Sequence, residues 1–347
     1  MRIAAGLIFA GTISLLASSA AWSQTPPAKG AAPAAAPAAA PAPAAAAPAK
    51  GATTAPAAAP AAAAPAPAAA AAAPIPPKQP PQPARAACNN PNALGVGRTV
   101  EIDTTGGPGF GFEHFKQLDF LRDKEVVLTF DDGPWPANTP AVLKALADEC
   151  TTGIFFPIGK HATYHPEILR QVYAAGHTVG AHTWSHANLN NKKLTEDQKK
   201  DEIERGYAAV KWALEVSPSP FFRFPALQHP PEMVTYLGNR NIAIFSCDLD
   251  SFDFKASKPQ QVIDTVMKKL NKLGKGIILM HDFQKHTAEA LPELLKQLKA
   301  GGYKVVAMRA KFPVTVLPQY EQELAKDVKL PTVTSRPVNS VVTTVDQ

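Results

Sequence analysis

Glu125-Val126-Val127-Leu128-Thr129-Phe130 runs directly into Asp131-Asp132-Gly133-Pro134. The first six residues, rich in β-branched and large apolar side chains, read as a strand buried on both faces, and Asp-Gly-Pro supplies the turn that ends it. Asp-Gly-Pro after a strand is ordinary turn chemistry. Two adjacent carboxylates at the mouth of a buried strand ask for more, because like charges losing solvent need compensation; a cation on one and a guanidinium beside the other would supply it.

Outward from this stretch the same pattern repeats. Short apolar runs at Gly153 to Pro157, Ile242 to Cys247, Gly276 to Met280 and Lys304 to Met308 alternate with amphipathic stretches. Helix starts are marked by Thr139-Pro140, Pro166 and Pro259, and a long charged helix is predicted from Thr195 to Glu215. Strands joined by helical crossovers are parallel, which predicts an α/β fold with its ligand site beyond the carboxyl ends of the strands. Polar residues gather there: Asp131 and Asp132 after the first run, His182 and His186 after Thr178 to Ala181, Arg223 after Phe221-Phe222, Asp248, Asp250 and Asp253 after Ile242 to Cys247, and His281 with Asp282 after Met280.

The rest of the chain is of a different kind. Proline makes up 35 of 347 residues, about double the usual share, and nearly half of it lies before residue 86 in a tract of little but Ala and Pro. The 46% hydrophobic and 18% charged composition therefore averages two unlike segments and describes neither. Arg2 followed by the apolar, Gly- and Ser-containing stretch Ile3 to Ala21 reads as a signal peptide over 1–23, cleaved near Ala20 to Ser23; an uncleaved anchor is the alternative, and only then is a membrane a partner. Residues 24–86 read as a disordered Ala/Pro-rich linker, 87–119 as an N-terminal extension, 120–315 as the folded domain, and 316–347 as a polar, Val/Thr-rich, loosely ordered tail. A net charge of +6 comes from scattered basic residues with no interleaved aromatics, which argues against single-stranded nucleic acid as a partner. Export places the three cysteines in an oxidising setting. Spacing does not dictate their pairing; Cys88 with Cys150 is the expectation, since Cys247 lies in an apolar run and suits a buried thiol.

His182-Thr183-Trp184-Ser185-His186 places two imidazoles four residues apart, on one side of a helical turn, where both could meet one ion. Alone, such a pair is more often ordinary surface or core histidine. Asp132 would add a third ligand from another strand end, and two histidines with one carboxylate leave a position open for water. Arg223 is the candidate guanidinium, with a surface ion pair as its plainer reading.

Thr129-Phe130-Asp131-Asp132-Gly133-Pro134 together with His182-Thr183-Trp184-Ser185-His186 resembles the signature of the NodB-type polysaccharide deacetylases, carbohydrate esterase family 4, over about residues 120 to 310. The resemblance implies a distorted (β/α) barrel of the NodB homology type. It implies Asp131 as catalytic base, Asp132, His182 and His186 as ligands of a divalent metal ion, zinc with cobalt as the alternative, and an N-acetylated glycan as substrate. Later motifs match less closely. Where the family has Arg-Pro-Pro-Tyr-Gly, this chain has Arg223-Phe224-Pro225-Ala226-Leu227, so the backbone N–H of Ala226 would be the oxyanion donor; where the family ends Asp-Trp, Asp253-Phe254 offers a phenyl ring to the sugar and loses the indole N–H. Leu279-Met280-His281 agrees with the family pattern and implies His281 as general acid, oriented by Asp253, with Leu279 walling the acetyl-methyl pocket.

The expected activity is metal-assisted removal of acetyl groups from peptidoglycan, a chitin-like polymer or poly-N-acetylglucosamine by a periplasmic, envelope-bound or secreted protein, with a monomer favoured. Three rivals accompany it. A tethered non-catalytic glycan binder is suggested by Ala226 and Phe254, and an O-acetyl xylan esterase is compatible with the same family. Asp248-Leu249-Asp250-Ser251 resembles the nucleophile loop of haloacid-dehalogenase-type phosphatases but leaves the histidine pair unexplained.

Overall fold

The computed structural model describes Pro83 and residues 87–328. The signal peptide and most of the Ala/Pro linker expected over 1–86, and the last residues of the tail, lie outside the described residues. In chain order the elements are β1 (Arg98–Ile102), β2 (Gly109–Phe110), β3 (Glu125–Asp131), α1 (Thr139–Asp148), β4 (Ile154–Phe156), α2 (Gly159–Tyr164), α3 (Pro166–Ala174), β5 (Thr178–Val179) and α4 (Glu196–Leu214). They continue as β6 (Phe221–Phe222), α5 (Pro231–Asn239), β7 (Ala243–Phe245), β8 (Leu249–Asp250), α6 (Pro259–Leu273), β9 (Gly276–His281), α7 (Lys285–Ala300), β10 (Lys304–Ala310) and α8 (Pro318–Asp327). Among the described residues, no helix is long and apolar enough to cross a membrane.

The strands pair in parallel around a closed but irregular circuit. β4 lies on β3 and β5 on β4; β6 meets β5 only through the bridge between Ala181 and Phe222; β7 lies on β6. The run that carries β7 bends at Ser246-Cys247-Asp248 and continues as β8, which pairs with β9, and β9 returns to β3. This is the distorted barrel of alternating strands and helices. β10 pairs only with the first two residues of β3, and β1 extends the sheet beyond β10. The N-terminal extension thus enters both sheets, since β2 also pairs with β7.

Side-chain alternation explains why β3 is buried throughout. Val126, Leu128 and Phe130 pack outward in one cluster with Val142 and Leu146 of α1, Val262 and Val266 of α6, and Leu291 and Leu294 of α7. Val127 faces the barrel interior with Ile277, Phe156, Phe221 and Phe245. Thr129 and Asp131 share that inward face, so a carboxylate arrives at the open end of the barrel because a hydrophobic alternation brings it there.

Helix starts follow the expected chemistry: in α4, Thr195 and Gln198 exchange side-chain-to-backbone hydrogen bonds of 3.2 and 2.9 Å. The disulfide joins Cys88 to Cys150, and Cys247 is a buried free thiol. The C-terminal segment differs from the loose tail expected. Residues Pro318–Asp327 form α8, whose Leu324 is buried against α4 and α5 residues, and Tyr320 Oη donates to Asp201 Oδ1 at 2.6 Å while Arg205 pairs with Asp327 at 2.8 Å. One apolar residue among polar neighbours is a weak signal in sequence, but a helix needs only a narrow buried stripe when a longer helix offers partners.

Arg98 of β1 reaches across β10 to grip Glu125, at the start of β3, with two hydrogen bonds of 2.8 and 2.7 Å. This contact pulls the Glu125 carboxyl from an ordinary 4.5 to about 2. A depressed carboxyl stabilises the fold above its unfolded pKa and loses that contribution as pH falls through the folded value, here between about 4.5 and about 2. Arg98→Met should therefore cost about 2 kcal/mol at neutral pH and flatten the acid limb of stability against pH. Urea unfolding from pH 2.5 to 7 reads both; an acid limb of the same steepness in the variant would show that the pair does not act this way.

Candidate metal and catalytic centre

The centre is assembled at the carboxyl ends of β3, β5, β6 and β9. β3 and β9 pair in register, Thr129 beside Leu279 and Asp131 beside His281, so two expected site residues from opposite ends of the domain sequence are lateral neighbours. Leu279, buried, is on the same inward face of β9 as His281.

Asp131 is held by Arg223, whose side chain has no solvent exposure. One guanidinium nitrogen donates to Asp131 Oδ1 and to Thr129 Oγ1, both at 2.7 Å, the other to the Ser246 carbonyl at 2.8 Å, and the guanidinium carbon lies 4.6 Å from the centre of the Phe156 ring. A surface ion pair is thereby excluded. The second carboxylate oxygen of Asp131 is 4.0 Å from His182 Nε2.

Asp132 follows at φ 74°, and its carboxylate approaches the same imidazole nitrogen. Its Oδ1 lies 3.4 Å from Nε2 of His182 and 3.4 Å from Nε2 of His186, and is buried without a hydrogen-bond partner. One ligand atom from each of these three residues lies within 4.8 Å of the others. His182 Nδ1 is 2.7 Å from the Arg223 carbonyl, an acceptor only, so Nδ1 carries the proton and the neutral ring directs a lone pair from Nε2 at Asp132. Burial pushes both imidazoles down, toward the neutral form a metal requires, and pushes the Asp132 carboxyl up against the pull of His182 and His281. An orphaned buried carboxylate oxygen facing two imidazole nitrogens fits a divalent cation.

The histidine pair does not sit on a helical turn. Residues 182–186 form a loop with Thr183 at φ 63° and His186 at φ 61°, because the backbone groups that a helix would pair internally are taken from outside. The Thr183 and Trp184 carbonyls accept from Gly159 and Lys160 of α2 at 2.9 Å each, and the Trp184 N–H donates to the Glu202 carbonyl of α4 at 2.7 Å. Gly206 of α4 makes this closeness possible: a Cβ there would lie 2.7 Å from the Thr183 carbonyl carbon.

His281 is fixed by Asp253, which accepts its backbone N–H and its Nδ1–H at 2.7 Å each and a third hydrogen bond from Thr287 Oγ1. Its Nε2 lies 4.0 Å from Asp132 Oδ2. Burial opposes a charge on this ring, but the hydrogen bond and charge of Asp253, with Asp132 and Asp131 nearby, outweigh it and raise the imidazole to about 9. Phe254 is 50% exposed and stands edge-to-face on His281 at 5.8 Å. Ala226 is exposed and left-handed, at φ 51°.

Two residues that the sequence reading gave no role hold the loop that carries Asp132. His161 of α2 donates from Nδ1 to the Asp132 carbonyl at 2.6 Å. Asp282, wholly buried and raised by that burial to about 7, accepts the Gly133 N–H at 3.1 Å, and a Cβ at Gly133 would lie 2.0 Å from its carboxylate. Both had a signal: each falls within a few residues of a strand's carboxyl end.

A family model described as Polysaccharide deacetylase matches residues 120–243. Peptidoglycan-N-acetylmuramic acid deacetylase PdaC of Bacillus subtilis is 32% identical over 201 residues, 54% of this chain but 38% of the relative, so this chain spans well under half of that protein's length. Chitooligosaccharide deacetylase of Azorhizobium caulinodans is 30% identical over 46% of this chain and 75% of its own length. Among solved structures, Bdellovibrio bacteriovorus peptidoglycan deacetylase Bd3279 superposes with a TM-score of 0.58 at 31% identity, covering 67% of this chain and 64% of that one.

Removing the imidazole that holds Asp132 by its carbonyl should loosen the ion site without touching a ligand. His161→Ala is expected to weaken cobalt or zinc affinity about tenfold, read by calorimetry. Wild-type affinity in that variant would show that the carbonyl contact does not position the carboxylate.

Proposed function

The chain belongs to the polysaccharide deacetylase family, and from that premise we propose that it hydrolyses the N-acetyl groups of an envelope or extracellular glycan at the centre formed by Asp131, Asp132, His182, His186 and His281. The observation that carries this reading is the convergence of three candidate ligand atoms, within 4.8 Å of one another, beside a carboxylate clamped by a wholly buried arginine.

Asp132, His182 and His186 would hold the cation, zinc with cobalt as the alternative, which when bound polarises the acetyl carbonyl and lowers the pKa of the attacking water. Asp131 acts as the base: its Oδ1 is committed to Arg223, and its other oxygen, facing His182, receives the proton from water. Arg223 keeps that oxygen aimed, and through its carbonyl it also fixes the His182 tautomer. The exposed backbone at Ala226 donates its N–H to the developing oxyanion. His281, its Nδ1–H donating a hydrogen bond to Asp253, presents an Nε2 proton toward the centre and delivers it to the departing amine. Without that proton the tetrahedral intermediate would expel water rather than an amide anion. Leu279 bounds the space for the acetyl methyl, and Phe254 offers a flat apolar face to the sugar ring.

The peptidoglycan and chitooligosaccharide named for the relatives support N-acetylated glycans as the substrate class. The disulfide between Cys88 and Cys150 supports an exported protein, since such bonds persist in oxidising compartments.

Acetate release should be measured from peptidoglycan, N-acetylglucosamine oligomers, poly-N-acetylglucosamine and acetylated xylan, with and without chelator. Activity on the N-acetylated polymers that chelator abolishes is expected, and Asp131→Asn and His281→Gln should each lower kcat on the order of a hundredfold or more. Release from xylan alone would make the protein an O-acetyl esterase. Glycan binding with no acetate from any polymer would make it a non-catalytic binder.

A further inference from the structure

Trp135 is 41% exposed, yet its backbone is held on both sides. Its N–H donates to Thr139 Oγ1 at 2.8 Å and its carbonyl accepts from the Thr139 N–H at 3.0 Å. The same Thr139 hydroxyl, wholly buried, donates to Asp282 Oδ2 at 2.5 Å, so the residue is braced against the carboxylate that also holds Gly133. The indole rests against two imidazoles, His161 at 5.3 Å and His165 edge-on at 5.8 Å between ring centres. His161 in turn holds the Asp132 carbonyl, which leaves one side chain between the indole and the metal loop. Tyr164, 62% exposed, continues the shelf beyond His161.

On the other side of Asp132, His281 approaches its carboxylate and carries Phe254 on its edge. The centre therefore lies between two exposed aromatic surfaces, one reached through the backbone of Asp132 and one through its side chain. A single acetylated sugar needs one such wall. A second, its backbone hydrogen-bonded and its ring backed by two imidazoles, suits a ligand with more than one ring. One face of a pyranose chair presents C–H groups that are apolar and slightly positive, complementary to the negative face of an indole, and a ring already packed against two others loses less entropy when it is covered than a free one.

We propose that Trp135, backed by His161 and His165, is a stacking subsite for a sugar unit neighbouring the one whose acetyl group is removed, so that binding strengthens with glycan chain length. The proposal rests on the deacetylase reading for its ligand class, and binding is measured separately from turnover for that reason.

The test uses the full exported chain loaded with cobalt, as wild type, Trp135→Ala and Trp135→Phe. Calorimetry and tryptophan emission read binding of the N-acetylglucosamine dimer and pentamer, and acetate release gives KM and kcat for both. Trp135→Ala should weaken pentamer affinity about tenfold and raise KM far more than it lowers kcat, with a loss at least about fivefold greater for the pentamer than for the dimer. Trp135→Phe should recover part of the loss, and an unchanged cobalt spectrum in both variants confirms that the centre is intact. Equal losses on dimer and pentamer, or wild-type pentamer binding by Trp135→Ala, would overturn the subsite while active wild type keeps the deacetylase reading. Trp135-dependent pentamer binding without acetate release would keep the subsite and remove the activity. Failure of wild type to bind the pentamer at all overturns the subsite, with aromatic exposure at Trp135 then left to a protein partner.

Discussion

A guanidinium with no access to water is the constraint around which this domain is organised. Removing one partner from a buried ion pair leaves an uncompensated charge and costs about 3–5 kcal/mol, so Arg223 demands that its surroundings be complete. They are: Asp131 and Thr129 come from β3, the Ser246 carbonyl from the bend between β7 and β8, and the Phe156 ring from β4. One side chain from the end of β6 thus ties together strands that, across β5 and β6, share only one bridge pair. The irregular barrel is closed as much by this arginine as by backbone pairing. Because the carbonyl of the same residue holds His182, the position of the carboxylate and the orientation of the imidazole are set by one group.

Half of the non-glycine residues with left-handed backbone, among the described residues, lie at or beside the candidate site. Asp132, Thr183, His186, Ala226 and Phe252 all adopt left-handed backbone conformations without being glycine. Each such residue costs roughly 1 kcal/mol and persists only where its neighbours over-determine it. Here they do: Asp132 is held by His161 through its carbonyl and by the Phe156 carbonyl through its N–H, and His186 is held by Thr183 Oγ1. The buried clusters of the barrel and its helices offset that cost and provide the rigid ends from which the loops project.

The parts of the fold that were readable in the residues are those with local causes. β3, β4, β7, β9 and β10 are apolar runs of strand length, and α1, α3, α4 and α6 begin at a capping residue or a proline. What escaped were elements that exist through partners: α8, which needs the flank of α4, and the conformation of His182 to His186, which local spacing assigns to a helical turn and α2 and α4 pull into a loop. His161 escaped for the same reason. Nothing in Gly159-Lys160-His161 announces a hydrogen bond to a carbonyl 29 residues earlier in the chain.

Residue order was sufficient for the alternation of strands and helices, for the end of the sheet at which titratable groups collect, and for the chemical types gathered there, because periodicity and turn chemistry act over a few neighbours. Distances between those groups were decided by folding. That Asp131 lies beside His281 follows from the register of β3 on β9, that Arg223 is buried rather than exposed follows from closure of the barrel, and that Trp135 is braced beside the loop of Asp132 follows from the Thr139 and Asp282 contacts. Asp131 with His281, Arg223 with Asp131 and Thr139 with Asp282 all join residues far apart along the chain, and such contacts come into being only when the whole core is packed.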